Sequence, residues 1–448
     1  LTLSSLFAAT TGCALDATSS DSETASADGE ALRNQPSREL DASTRFYTPP
    51  PPLGATKQVL ELLRRGKLRD AARITGMVTT PQAVWFTDGS PEEVKARVEQ
   101  TMKRAARERR VPVLVAYNLP YRDCAQYSAG GATDTAAYQA WIDAFAAGIG
   151  RGKAVVILEP DSLGIIPYNT TIYGAEEWCK PTVTDAEGNT VPAPGANPEE
   201  RYAQLKYGVS SILTQAPSAS VHLDGTHSAW LGVGEAAYRL YRAGFEGGVQ
   251  QVQGFFLNVS NYQLTSELEQ FGTWVSMCLA AGTPGVGPDW MRDATTGAPH
   301  FDWCPSQYDP ATNYSTVNFT PEFAAGVTAG LEGLLGGASP QVHFVLDTSR
   351  NGQGAWQPAP ETSYPDPQNW CNPPGRGVGL RPTLNTGSDL ADAYLWIKIP
   401  GESDGSCNRG IVDSTIDPEW GGIVDPAAGQ WFPAQALELA RLANPAFF

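Results

Sequence analysis

From about residue 83 onward, short apolar runs alternate with amphipathic stretches. The runs 83–86, 111–117, 154–158, 219–223, 254–258, 342–346 and 393–397 are four to seven residues long and rich in Val, Ile, Leu and Phe, as strands covered on both faces are. Helical spacing fills 91–109, 135–150, 198–215, 234–243 and the closing stretch 433–444. Ser90 followed by Glu93 carries the capping-box signature at the start of the first of these. Strands that alternate with helices form parallel βαβ units, and seven of them fit either a barrel or an open doubly wound sheet.

The residues just after each run separate the two folds. Trp85 and Asp88 come at the end of the first, and Tyr117, Arg122 and Asp123 close the second. Glu159 and Asp161, then Asp224 and His227, then Asn258, then Asp347 succeed the next four, and Lys398, Glu402 and Asp404 succeed the last. In a β/α barrel all C-terminal strand ends converge on one face and share one cleft, whereas an open sheet supplies a site only at its switch point. The pattern therefore predicts a single α/β domain over 43–448, a distorted (β/α) barrel of about seven parallel strands. Pro-, Gly- and Asn-rich loops at 173–200, 277–320 and 401–430 are expected over the C-terminal strand ends.

The N-terminal end reads differently. Residues 1–13 are apolar and end in small residues, like the tail of a secretory signal peptide, and are too short to span a bilayer. Cys13 lies between small residues and a polar stretch, as at a bacterial lipoprotein cleavage site. The expected location is secreted, with a cell-surface lipid anchor at Cys13 or with Cys13 discarded with the signal peptide. Residues 14–42, rich in Ser, Ala, Thr and Asp, predict a disordered linker.

Composition narrows the partners. The 448 residues carry a formal charge of −17, and such a surface repels phosphate backbones, which excludes nucleic acid as a main partner. Only 18% of residues are charged, while 12 Trp, 16 Tyr and 15 Phe suit an uncharged substrate with flat faces, such as a sugar. Seven Cys without a CxxC pair and only four His give no zinc-ligand spacing, so neither metal nor cofactor is expected. Six of the Cys lie beyond residue 100 and predict three disulfides, with about 15 pairings open.

Two carboxylates stand out. Alone, Asp161 reads as a helix N-cap and Asp123 as half of a surface ion pair. On adjacent barrel strands they face one cleft, where like charge keeps one of them protonated near neutral pH. A glycosidic oxygen needs such an acid to leave, and a third carboxylate, Asp404, is available for the water side. Two other motifs carry nothing. The G-x-S-x-G at 401–405 has no His after it, and the DTSRNG of 347–352 lacks the closing Glu of a calcium loop.

At these positions the chain resembles glycoside hydrolase family six, the cellobiohydrolases and endoglucanases that cut cellulose with inversion. Segment 115–124 (VAYNLPYRDC), with SAGG at 128–131, is similar to the family's first signature, and 156–163 (VILEPDSL) to its second. Weaker similarity extends over about 45–448. The resemblance implies that Asp161 is the general acid, that Asp123 raises its pKa and steadies the transition state, and that Asp404 is the candidate base acting through water. It places Tyr117 under the reacting sugar and Ser128 near the water. Trp85, Trp230 and Trp370 would be sugar platforms, and Asp224, His227, Asn258, Lys398 and Glu402 would hold hydroxyls. It implies disulfides Cys124–Cys179 and Cys371–Cys407, with Cys278 and Cys304 the remaining two. The expected partner is a β-1,4-glucan chain and the expected assembly a monomer. Long loops that roof the cleft favour release of cellobiose from chain ends, at the non-reducing end by resemblance. An open cleft would make an endoglucanase, and a non-catalytic glucan-binding protein is the rival from another class.

Overall fold

Seven strands lie side by side, all parallel, in the order of the chain. They are β1 (Val84–Phe86), β2 (Val113–Ala116), β3 (Ala154–Leu158), β6 (Ala219–Asp224), β7 (Gly254–Leu257), β8 (His343–Asp347) and β9 (Ala391–Leu395). β4 (Thr182–Thr184) and β5 (Thr190–Pro192) form a separate antiparallel hairpin within the 173–200 loop. This computed structural model describes residues 40–41, 43–246, 252–312 and 317–448. The expected signal-peptide remnant, Cys13 and all of the predicted linker except residues 40 and 41 lie outside the described residues.

The sheet curls through 209° into a distorted, TIM-like α/β half-barrel. β1 and β9 face each other across the open seam without a ladder. Beside the strands two hydrogen bonds bridge it: Ala83 N–H donates to the Trp396 carbonyl at 2.9 Å, and the Trp85 indole donates to the Ile397 carbonyl at 2.8 Å. The seam is thus closed partly by the side chain of a residue that also faces the cleft.

Strand alternation sorts the core into two layers. Val113, Val115, Val155, Ile157, Phe256, Val345, Ala393 and Leu395 point into the barrel. Their neighbours Leu114, Ala116, Val156, Leu158, Phe255, Leu257, Phe344 and Leu346 pack outward under the helices. Phe46 joins the inner layer. Its segment pairs with the residues just before β2, where Tyr47 N–H donates to the Val111 carbonyl at 2.9 Å and Val111 N–H to the Arg45 carbonyl at 2.8 Å. Phe46 therefore plugs the end of the barrel opposite the strand C-termini.

The helices are α1 (Leu53–Arg64), α2 (Leu68–Val78), α3 (Pro91–Arg107), α4 (Thr135–Ile149), α5 (Pro198–Gln215), α6 (Val233–Leu240), α7 (Thr265–Gly282), α8 (Pro321–Leu335) and α9 (Pro433–Arg441). α3 opens with the expected capping box: the Ser90 side chain accepts from Glu93 N–H, and Glu93 Oε2 accepts from Ser90 N–H at 2.8 Å. Four helices escaped the sequence pattern. α1 and α2 precede β1, in the stretch before residue 83 for which the sequence pattern predicts no element. The C-terminal half of α7, 274–282, is buried on every side, so its apolar positions have no helical period, and the predicted loop 277–320 begins inside it. α8 contains three Gly, a weak helix signal, yet Gly330 lets the helix close on Pro305. Disulfides join Cys124–Cys179, Cys278–Cys304 and Cys371–Cys407.

Phe46→Ala is expected to remove about 3–5 kcal/mol of stability, because the cavity it leaves is walled by β-strands that cannot collapse into it. Chemical denaturation checks this, and a loss under about 1 kcal/mol would show that Phe46 is not part of the core.

Candidate active site

Loops at the C-terminal strand ends enclose a cavity of about 340 Å³. Trp85 reaches it from β1, Tyr117, Asp123 and Ser128 from the loop after β2, and Asp161 from the turn after β3. His227 and Trp230 enter after β6, Tyr262 after β7, Trp370 from the connection between β8 and β9, and Lys398 and Asp404 after β9. Ten residues picked from polar or aromatic strand ends and the family signatures thus share one cleft.

Asp161 is the buried centre of it. β3 ends in a turn with Glu159 at φ 53° and Asp161 at φ 66°, and the loop after β2 has Asp123 at φ 58° and Cys124 at φ 44°. Left-handed backbone costs a non-glycine residue of order 1–3 kcal/mol and persists only where neighbours hold it. Glu159 does so with one carboxylate oxygen, which accepts from Asn118 N–H at 2.8 Å and Leu119 N–H at 3.1 Å, and the Cys124–Cys179 bridge pins the second turn. The strained turns aim both acids at the cleft.

Their environments set their charges. Burial pushes the Asp161 carboxyl well above the usual carboxylate range, and the negative charges of Asp224 and Asp123 push it further. The Tyr117 hydroxyl, 3.5 Å from Asp161 Oδ2, opposes this only in part. Burial also raises Asp123, to about 6, against the Ser128 N–H that donates to it at 2.6 Å and the nearby Arg122. Burial and the neighbouring carboxylates therefore favour the neutral form of Asp161, beside an Asp123 whose carboxyl is raised to about 6.

Asp404 has the opposite setting. Burial would raise its pKa, but Arg350 at 2.9 Å and Lys398 at 3.4 Å outweigh that and hold it below the usual range. Tyr262 OH at 3.3 Å and Asn372 N–H at 2.9 Å donate to the same oxygen as Arg350. Asp404 is a fixed anion, and so many donors make it a weak Brønsted base.

His227 accepts from Ala229 N–H through Nδ1 at 3.1 Å, and burial lowers its pKa to about 3. The ring is neutral, which leaves Nε2–H as its remaining donor. Trp230 lies against it with ring centroids 5.6 Å apart, and Trp370 lies 5.9 Å from Tyr127.

Three residues expected to hold sugar hydroxyls are placed otherwise. Asp224 does not line the cavity, since its two oxygens accept from Thr226 N–H at 2.9 Å and Leu163 N–H at 3.2 Å. It acts on Asp161 through its charge. Asn258 is likewise consumed: its amide donates to the Asp347 carbonyl at 2.9 Å and its oxygen accepts from Gln263 N–H at 3.0 Å, which fixes the turn after β7. Glu402 lines an adjoining cavity of about 670 Å³, beyond Trp85 and Lys398, and burial raises its pKa to about 7 despite Lys398.

Other lining residues had no signal in the strand-end pattern. Trp178, 55% exposed at the cleft wall, sits in mid-loop, brought there by the bridge from Cys179 to Cys124. Arg350, which is buried and meets the cleft through Asp404 rather than lining it, lies in 347–352, the segment with half of a calcium-loop pattern. Cys407, Asp417 and Asp425 bring metal-ligand atoms within 4.8 Å of one another, but Cys407 is in a disulfide and Asp417 is bound to Arg409, so this group does not suit a metal.

These features define an aromatic-lined cleft with one carboxyl raised by burial and one held as an anion. The family model of Glycosyl hydrolases family 6 matches residues 41–443, and the chain belongs to that family. It is 31% identical to Endoglucanase A of Cellulomonas fimi over 84% of this chain, and spans 57% of that protein's length. It is 33% identical to Endoglucanase 1 of Streptomyces halstedii, covering 84% of this chain and 82% of that one. A probable 1,4-beta-D-glucan cellobiohydrolase C of Aspergillus fumigatus is 29% identical, over 75% of this chain and 62% of that one. Among solved structures, the endoglucanase Cel6 of Mycobacterium tuberculosis, in complex with methyl-cellobiosyl-4-deoxy-4-thio-β-D-cellobioside, is 29% identical. It covers 90% of this chain and 98% of its own, with a TM-score of 0.57.

Infrared spectroscopy tests the charge assignment. Because the folded pKa of Asp161 is raised, its protonated-carboxyl band should be present at pH 7, vanish in Asp161→Asn, and disappear from the native protein only as pH rises through the raised value. Asp123→Asn removes a charge that raises this pKa, so the band should then be lost at lower pH. No such band at neutral pH would contradict the assignment.

Proposed function

We propose that the chain hydrolyses β-1,4-glucan with inversion. The observation that carries this reading is the neutral, buried Asp161 opening onto an aromatic cleft beside a carboxylate. Glucose rings present C–H faces that stack on Trp85, Trp230 and Trp370 without a charged partner. Asp161 gives its proton to the leaving glycosidic oxygen. Asp123 faces the positive charge that grows on the reacting ring, and Tyr117 lies at that ring. Water enters from the opposite face, in a gap that requires acid and base carboxyls about 6.5–9.5 Å apart. Asp404, weakened as a base by Arg350 and Lys398, orients that water and takes up its proton only as the new bond to C1 forms and the bond to the leaving oxygen breaks.

Loops that meet across the seam support one mode of attack. Tyr127, after β2, reaches Asn408, after β9, at 3.4 Å, and Gln368, before β9, donates to both at 3.2 Å. Gly405 packs so closely that an added Cβ would lie 2.4 Å from Tyr127 Cβ. Loops joined from both sides of the seam beside Trp370 favour a covered cleft, and with it release of cellobiose from chain ends, at the non-reducing end by resemblance. The names of the bacterial relatives favour a second reading, internal cleavage by an endoglucanase. Three disulfides suit an oxidising compartment outside the cell.

The expected result on soluble cello-oligosaccharides, followed by proton NMR, is cellobiose as main product with its new reducing end first in the α configuration. Carboxymethyl cellulose should lose little viscosity per bond cut. A β anomer would overturn inversion, and a steep loss of viscosity would select the endo reading.

A further inference from the structure

The loop between α7 and α8 carries two tryptophans that the cleft does not use. Trp290 and Trp303 each expose 49% of their surface. Their surroundings are rigid. Met291 and Phe301 are buried, His300 N–H donates to the Met291 carbonyl at 2.9 Å, and Cys304 is bridged to Cys278 on α7. The His300 ring lies flat on Trp303, with centroids 4.0 Å apart and planes 1° from parallel. The two rings form a plate, held in one orientation at the surface.

The segment behind the plate is built into the cleft wall. Ser306 Oγ accepts from Val233 N–H at 3.3 Å, Gln307 donates to the carbonyls of Ser228 and Leu231 at 2.9 Å each, and Tyr308 OH donates to the Trp230 carbonyl at 3.3 Å. These bonds fix the same turn that presents His227 and Trp230 to the cavity. The plate is thus anchored to the site while standing outside its lining.

Exposed apolar rings held rigid are unfavourable in water and pre-organised for a flat apolar partner. A pyranose C–H face is such a partner, and it asks for no charge from the protein. A glucan polymer also extends beyond a 340 Å³ cavity and has repeated faces to offer. We propose that His300 and Trp303, with Trp290 on the same loop, form a second glucan-binding platform outside the cleft, one that holds the protein on insoluble cellulose. The proposal rests on the glucan reading given above.

The test is depletion of the protein from solution by microcrystalline cellulose. Trp303→Ala should lower the partition coefficient roughly three- to tenfold, and Trp303→Ala with Trp290→Ala further, at an unchanged melting temperature. Trp303→Phe should retain most of the adsorption, since a flat ring remains. Unchanged adsorption of the Ala variants, or no adsorption of the native protein, would overturn the proposal. An equal weakening of cellotetraose binding would place Trp303 within the cleft and overturn it too. Hydrolysis of soluble β-glucan by the native protein, measured alongside, separates a failed platform from a failed glucan reading.

Discussion

A carboxyl group taken out of water beside two other carboxylates must keep its proton. That constraint on Asp161 organises the rest of the site. Burial alone would raise its pKa; Asp224 behind it and Asp123 beside it add to the shift. A neutral acid is what a departing sugar oxygen needs, since an alkoxide leaves poorly from a glucan. The opposite arrangement holds at Asp404, where Arg350 and Lys398 keep the charge in place; in the proposed reaction one carboxyl would deliver a proton while the other starts as an anion.

Holding this arrangement takes strain. The two turns that carry Asp123 and Asp161 pass through left-handed backbone at residues that are not glycine. Glu159, by accepting from the backbone of the neighbouring strand end, couples one turn to the other, and the Cys124–Cys179 bridge draws the outer loop with Trp178 onto the same wall. The barrel below is filled by strand side chains and Phe46, so the turns rest on a base that does not yield.

The fold was legible because covered parallel strands leave short continuous apolar runs, and because a barrel gathers the residues at the ends of those runs. That rule brought Asp123, Asp161, Asp404, Trp85, His227 and Lys398 into one cleft. It misplaced Asp224 and Asn258 for a physical reason. Both come after strands as polar residues do at an active site, but their polar atoms are spent on nearby N–H and C=O groups, and that depends on backbone angles which residue type does not reveal. Trp178 was invisible to the rule because a disulfide, not a strand, delivers it. α7 was harder to see because its C-terminal half, 274–282, is buried on every side and carries no polar face to set a period.

The central claim is that Asp161 serves as the proton donor to the leaving group, and substrates that differ only in their need for a proton test it most directly. Asp161→Asn should slow hydrolysis of cellotetraose by about 10²–10⁴-fold or more, while a cellobioside with 2,4-dinitrophenolate as leaving group is still cleaved at a rate near that of the native protein. An equal loss on both substrates, or little loss on cellotetraose, would contradict the account.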